Sequence, residues 1–110
     1  MKPNIAGGNI DVIVFHKSNN VRYKITIIEL KKGTVDGTAV AQTEQYAKWA
    51  AEHLANMDIE AIQIVLIGKT IKEDAKVRCR HYGLNKRPPK LVEYEVNNKA
   101  YRIDFSLVEF

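Results

Sequence analysis

An α/β domain with a mixed central sheet is the fold this chain predicts, on three observations. Strand-like and helix-like segments follow one another as strand, strand, helix, strand, helix, strand, strand. Residues 61–68 (AIQIVLIG) form a short apolar run, the pattern of a central strand beside a parallel neighbour. Residues 10–30 and 91–110 each hold two β-rich stretches joined by polar turn residues, so both read as antiparallel hairpins. At 110 residues the chain, 1–110, is one domain.

In the first hairpin, residues 10–15 (IDVIVF) and 23–30 (YKITIIEL) are rich in Ile, Val and aromatic side chains. Lys17-Ser18-Asn19-Asn20 supplies the turn. With the hairpin centred near Asn20, partner numbers total 40 and Asp11 faces Glu29. Opposed residues lie about 5 Å apart and share a face. Lys31, two residues beyond Glu29, lies on that face too. Two carboxylates so close repel unless a cation intervenes. Mg2+ (or Mn2+) suits the place, because it prefers oxygen ligands and keeps several waters. The Leu30 carbonyl is a further candidate ligand, and Lys31 could orient a water or balance charge on a phosphate. Two acids bridged by a lysine on a solvated face fit the same pattern.

Residues 38–54 (TAVAQTEQYAKWAAEHL) are Ala-rich, lack Gly and Pro, and follow Asp36-Gly37 as an opening turn. Val40, Ala47, Ala51 and Leu54 give a packing stripe at helical spacing. Gln42, Tyr46, Trp49 and His53 form a neighbouring stripe, with Gln42 and Tyr46 one turn apart and in reach of the strand end. Packing alone would also account for Tyr46 and Trp49.

A second helix is expected after Thr70-x-x-Glu73, which reads as a capping box, with Gly83 as its stop. Ile71, Ala75, Cys79 and Tyr82 are its packed stripe. Residues 91–96 and 100–110 then alternate around Asn97-Asn98 as the second hairpin. Its long apolar last strand is a sheet edge, a liability unless paired or covered. A homodimeric partner or a missing neighbouring domain is therefore expected.

Asp11, Glu29-x-Lys31 and Gln42-x3-Tyr46, in strand, strand, helix order, resemble the PD-(D/E)xK nuclease superfamily, and more narrowly its RecB-like and NucS-type endonucleases. The likeness covers roughly residues 8–68 and includes the wording Ile-Asp-Val, Ile-Ile-Glu-Leu-Lys-Lys-Gly and Val-Ala-Gln-x3-Tyr. It implies a restriction-endonuclease-like sandwich, a mixed central β-sheet flanked by helices, and a Mg2+-dependent DNA endonuclease. On that resemblance Asp11 and Glu29 hold the metal, Lys31 is the catalytic lysine, and Gln42 and Tyr46 support the site. Many members carry a further acidic residue on a helix before the first strand; the ten residues before Asp11 hold no acid, so that helix is expected to be missing. A non-catalytic nucleic-acid-binding or assembly module on the same fold, and an RNA-directed nuclease, stay open.

Charge supports a nucleic-acid partner. Within a net +4, residues 69–90 hold eight basic side chains against two acidic ones. Lys72, Lys76 and Arg80 recur at four-residue spacing, and Lys86, Arg87 and Lys90 follow in a loop. Such a patch attracts a phosphate backbone without reading sequence. It also describes a solvated helix face. One cysteine, Cys79, excludes an internal disulfide, and the scattered His16, His53 and His81 match no zinc spacing. No apolar run reaches membrane-spanning length and no signal-peptide core opens the chain, so a cytoplasmic protein without a membrane partner is expected.

Overall fold

A computed structural model describes residues 4–5, 8–9, 12–16, 25–54, 61–82 and 87–110. Its elements in chain order are β1 (Asn4–Ile5), β2 (Gly8–Asn9), β3 (Val12–Phe15), β4 (Ile25–Leu30), β5 (Thr34–Val35), α1 (Gly37–Leu54), β6 (Ile62–Gly68), β7 (Thr70–Ile71), α2 (Glu73–Arg80), β8 (Lys90–Asn97) and β9 (Arg102–Val108). The chain is an α/β domain whose mixed sheet runs β3-β4-β6-β8-β9. β6 lies at its centre, parallel to β4 on one side and to β8 on the other. The outer pairs β3–β4 and β8–β9 are antiparallel.

The first hairpin has the register its sequence predicts: Val12 pairs Ile28, Ile13 pairs Ile27, Val14 pairs Thr26 and Phe15 pairs Ile25. Side-chain alternation fixes this register, because a slip of one residue would turn Ile25, Ile27 and Glu29 away from α1. α1 begins where Asp36 and Gly37 suggest. The Asp36 carboxylate accepts a hydrogen bond from the Ala39 N–H at 2.9 Å, satisfying one of the free donors of the first turn. Val40, Ala47 and Ala51 are buried on the expected stripe, whereas Leu54 at the helix end is exposed.

Two expectations are corrected. Thr70 caps no helix: it pairs with Thr34 in the short parallel ribbon β5–β7, and α2 starts from Lys72 without a side-chain cap. The capping-box spacing is local, while the ribbon gives the same backbone two strand partners from a distant segment. In the second hairpin the turn is residues 98–101, later than Asn97-Asn98. Asn97 stays in β8 and its side chain accepts from the Ala100 N–H at 3.0 Å, while Tyr101 takes a left-handed φ of 52° to re-enter the ladder. Gly83, the expected stop of α2, lies outside the described residues.

Sheet pairing places Ile25, Ile27, Glu29, Ile62, Ile64, Leu66 and Leu91 on one face. Both helices cover that face. α1 closes one cluster through Tyr46, Ala47, Ala50 and Ala51 over Ile25, Ile27, Ile62 and Ile64. α2 closes a second through Ala75 and Cys79, with Val35, Ala39, Val40, Leu66 and Leu91. The Thr43 and Tyr82 hydroxyls, 2.8 Å apart, tie α1 to the residue just past α2. Among the described residues no helix covers the opposite face, so two layers are seen where helices on both sides were expected.

Candidate active site

β4 carries the site to the end of the sheet. Strand alternation turns Ile25 and Ile27 under α1, and the next residue on that side is Glu29, which is 4% exposed. Burying a carboxylate here demands partners. Lys31 supplies one: its Nζ lies 3.0 Å from Glu29 Oε1. Tyr46 supplies the other, its hydroxyl donating to the same oxygen at 3.4 Å from a ring that is fully buried. Glu29 Oε2 is buried too and has no hydrogen-bond partner among the described residues. One oxygen is thus held by a cation and a phenol, while the other is desolvated.

Lys31 owes its place to a chain crossing. Its backbone N–H donates to the Ile67 carbonyl at 2.7 Å, and the Lys69 N–H donates to the Gly33 carbonyl at 2.8 Å. These bonds lay residues 31–35 over the end of β6. The crossing needs Gly68, where an added Cβ would sit 2.7 Å from Val35 Cγ2 and 3.0 Å from the Gly33 carbonyl oxygen. Lys32 and Lys69 arrive at the same end of the sheet, both exposed. Neither was singled out from sequence; the signals were the Lys-Lys-Gly and Gly-Lys-Thr runs at the strand ends.

Of the expected residues, Glu29, Lys31 and Tyr46 meet. Gln42 lies one turn before Tyr46 on α1 and is half-buried. Leu30 ends β4, with its side chain exposed on the other side of the sheet. Asp11 lies outside the described residues, one position before the Val12–Ile28 pair. Among the described residues no group of three or more His, Cys, Asp or Glu side chains could hold a metal ion.

The expected basic patch is divided. Lys72 is exposed, and its N–H bonds the Val35 carbonyl at 2.9 Å, on the Lys31 side of the fold. Lys76 and Arg80 both reach Glu73, at 3.7 and 3.4 Å. Lys86 lies outside the described residues, and Arg87 is half-buried. Lys90 is exposed and pairs with Val65, which strand alternation sets on the face opposite Glu29. Trp49 packs against the α1 core and stacks on His53 with ring centroids 5.2 Å apart, so that part of the Gln42 stripe is packing.

Among the described residues, burial raises the pKa of two groups. The Cys79 thiol is pushed from 9.0 to about 11, and the Tyr82 phenol from 10.0 to about 12, in both chiefly because the charged form would lose water. Cys79 is therefore a packing residue with little thiolate character. Among the described residues no helix is long and apolar enough to cross a membrane. Compared with known proteins, the chain matches no family model, no curated protein and no solved structure.

Proposed function

We propose that this chain is a metal-dependent DNA endonuclease that hydrolyses phosphodiester bonds, on a restriction-endonuclease-like sandwich. The observation that carries the reading is the convergence on Glu29: residues chosen from three separate parts of the sequence include the two side chains that bind its buried carboxylate, Lys31 at 3.0 Å and Tyr46 at 3.4 Å. A buried carboxylate oxygen without a donor among the described residues, Glu29 Oε2, fits a hard divalent cation. Glu29, with Asp11 and the Leu30 carbonyl, would hold Mg2+ or Mn2+, which when bound polarises a phosphate oxygen and lowers the pKa of water. The sum-of-40 register, extended by one residue, is the basis for setting Asp11 beside Glu29.

The chain's own residues then divide the work. Lys31 orients the attacking water and offsets charge on the phosphate. Tyr46 keeps the Glu29 carboxylate in one rotamer, and Gln42 supports the same corner from the preceding turn. Lys72, Lys76, Arg80, Lys86 and Arg87 position the phosphate backbone. Of the second reading, a non-catalytic nucleic-acid-binding or assembly module, the assembly role is favoured by one observation: an apolar sheet face that no described element covers.

End-labelled single-stranded, duplex and branched DNA, and RNA, incubated with Mg2+, Mn2+ or EDTA, test the proposal. Metal-dependent cutting of DNA by the wild type is expected, lost in Asp11→Ala and in Lys31→Met, with DNA binding by Lys31→Met largely kept. Folded protein that binds DNA and cuts no substrate would shift the assignment to the binding module. Cutting confined to RNA would move the substrate class.

A further inference from the structure

Among the described residues, much of the sheet face turned away from α1 and α2 is apolar and exposed, while Thr26 and Gln63 on it are buried. Val12, Leu30, Val96, Ile103, Phe105 and Leu107 are each 48–62% exposed. The pairs Val96–Ile103, Tyr94–Phe105 and Val92–Leu107, joined through Ile67 to Leu30 and through Ile28 to Val12, carry the patch across five strands. These residues alternate with Glu93, Glu95, Asp104 and Ser106, so the apolar row is confined to one side of the β8–β9 hairpin.

We propose that this face is the interface of a homodimer in which two copies pack sheet to sheet. Area argues for it. At roughly 150–200 Å² per large side chain, six half-exposed residues leave about 500 Å² open, and half-buried neighbours such as Ile67 and Val92 add to it. The total approaches the ~800 Å² that each partner gives to a standard stable interface, and lies at the upper end of the roughly 300–600 Å² that the largest apolar patch on a monomer covers.

Charge names the partner. Among the described strand residues, Lys90 is the one charged side chain that alternation puts on this face, and Glu109 flanks it across the Leu91–Val108 pair. With one rim lysine as its sole cation among the described strand residues, the face does not suit a phosphate backbone. Its uncharged centre meets its own copy without like-charge repulsion, and a two-fold axis sets each rim lysine within the same neutral edge. Packed as aligned sheets about 10 Å apart, the copies carry their helices outward, so both Glu29 sites stay uncovered.

Sedimentation equilibrium of the 110-residue chain over a hundredfold range of concentration tests this. The expected mass is twice the 12.5 kDa of the monomer. Phe105→Lys and Leu107→Glu are expected to halve it with unchanged far-UV circular dichroism. Phe15→Lys, 58% exposed but on the helix side of the sheet, leaves the dimer intact. If either face variant fails to fold, Val96→Lys at the far corner gives the same readout. A wild-type monomer at every concentration, or a dimer that survives the folded face variants, overturns the proposal.

Discussion

Replacing Lys31 by Met removes a cation from a carboxylate that is almost fully buried. The Glu29 side chain is 6% exposed and Lys31 32%. Without the ammonium, Glu29 keeps, among the described residues, one long donor, Tyr46 at 3.4 Å, and an Oε2 with no partner. Breaking a fully buried pair costs about 3–5 kcal/mol, and an exposed one about 0–1 kcal/mol. With one partner sealed and the other a third open to solvent, Lys31→Met should cost about 2 kcal/mol. That corresponds to a Tm lowered by roughly 10 °C in a domain of this size. Adding Glu29→Gln removes the stranded charge, so the double variant should recover at least half the loss. Urea unfolding of the wild type, both single variants and the double variant, followed by far-UV circular dichroism at constant m, yields the coupling energy. A value of about 1–2 kcal/mol is expected. A coupling below about 0.5 kcal/mol, or a Lys31→Met as stable as the wild type, would refute the burial argument and leave an ordinary surface bridge.

Other perturbations probe the scaffold. Gly68→Val should destabilise the domain by about 2–3 kcal/mol, because the new side chain meets Val35 and the Gly33 carbonyl; thermal unfolding measures it, and an unchanged Tm would remove the chain crossing as a constraint. Asp36→Ala deletes the α1 cap and should cost about 1 kcal/mol in the same assay. Tyr101→Gly relieves a left-handed φ of 52° at an exposed turn and should raise stability by about 0.5–1 kcal/mol. Stability should fall as pH rises from about 9 towards 12, because the unfolded chain releases the Cys79 and Tyr82 protons before the folded chain does. In Cys79→Ala the decline between about 9 and 11 should shrink, as alkaline urea titrations would show.

Much of the fold was legible because it is written in short-range patterns. Alternation in residues 10–30 set strand identity and which side chains share a face, and centring the turn near Asn20 set the register that the Val12–Ile28 pair has. Asp36-Gly37 marked the start of α1 through a hydrogen bond three residues long. The parallel placement of β6 followed from its apolar run flanked by helices. The candidate site was partly legible for the same reason: Glu29 and Lys31 lie two apart on one strand, and Tyr46 follows on the next helix.

What the tertiary structure decided depends on segments far apart in the chain. Thr70 has the spacing of a cap, but pairing with Thr34 gives its backbone strand partners that local sequence does not reveal. The depth of Glu29 and its three-way meeting with Lys31 and Tyr46 required residues 31–35 to cross β6 at Gly68, a contact with no local signature. Helical periodicity says which side of a helix is buried, and nothing about which side of a sheet receives it. Both helices therefore came to lie on one face, and the apolar face opposite them appears only once the strands are assembled.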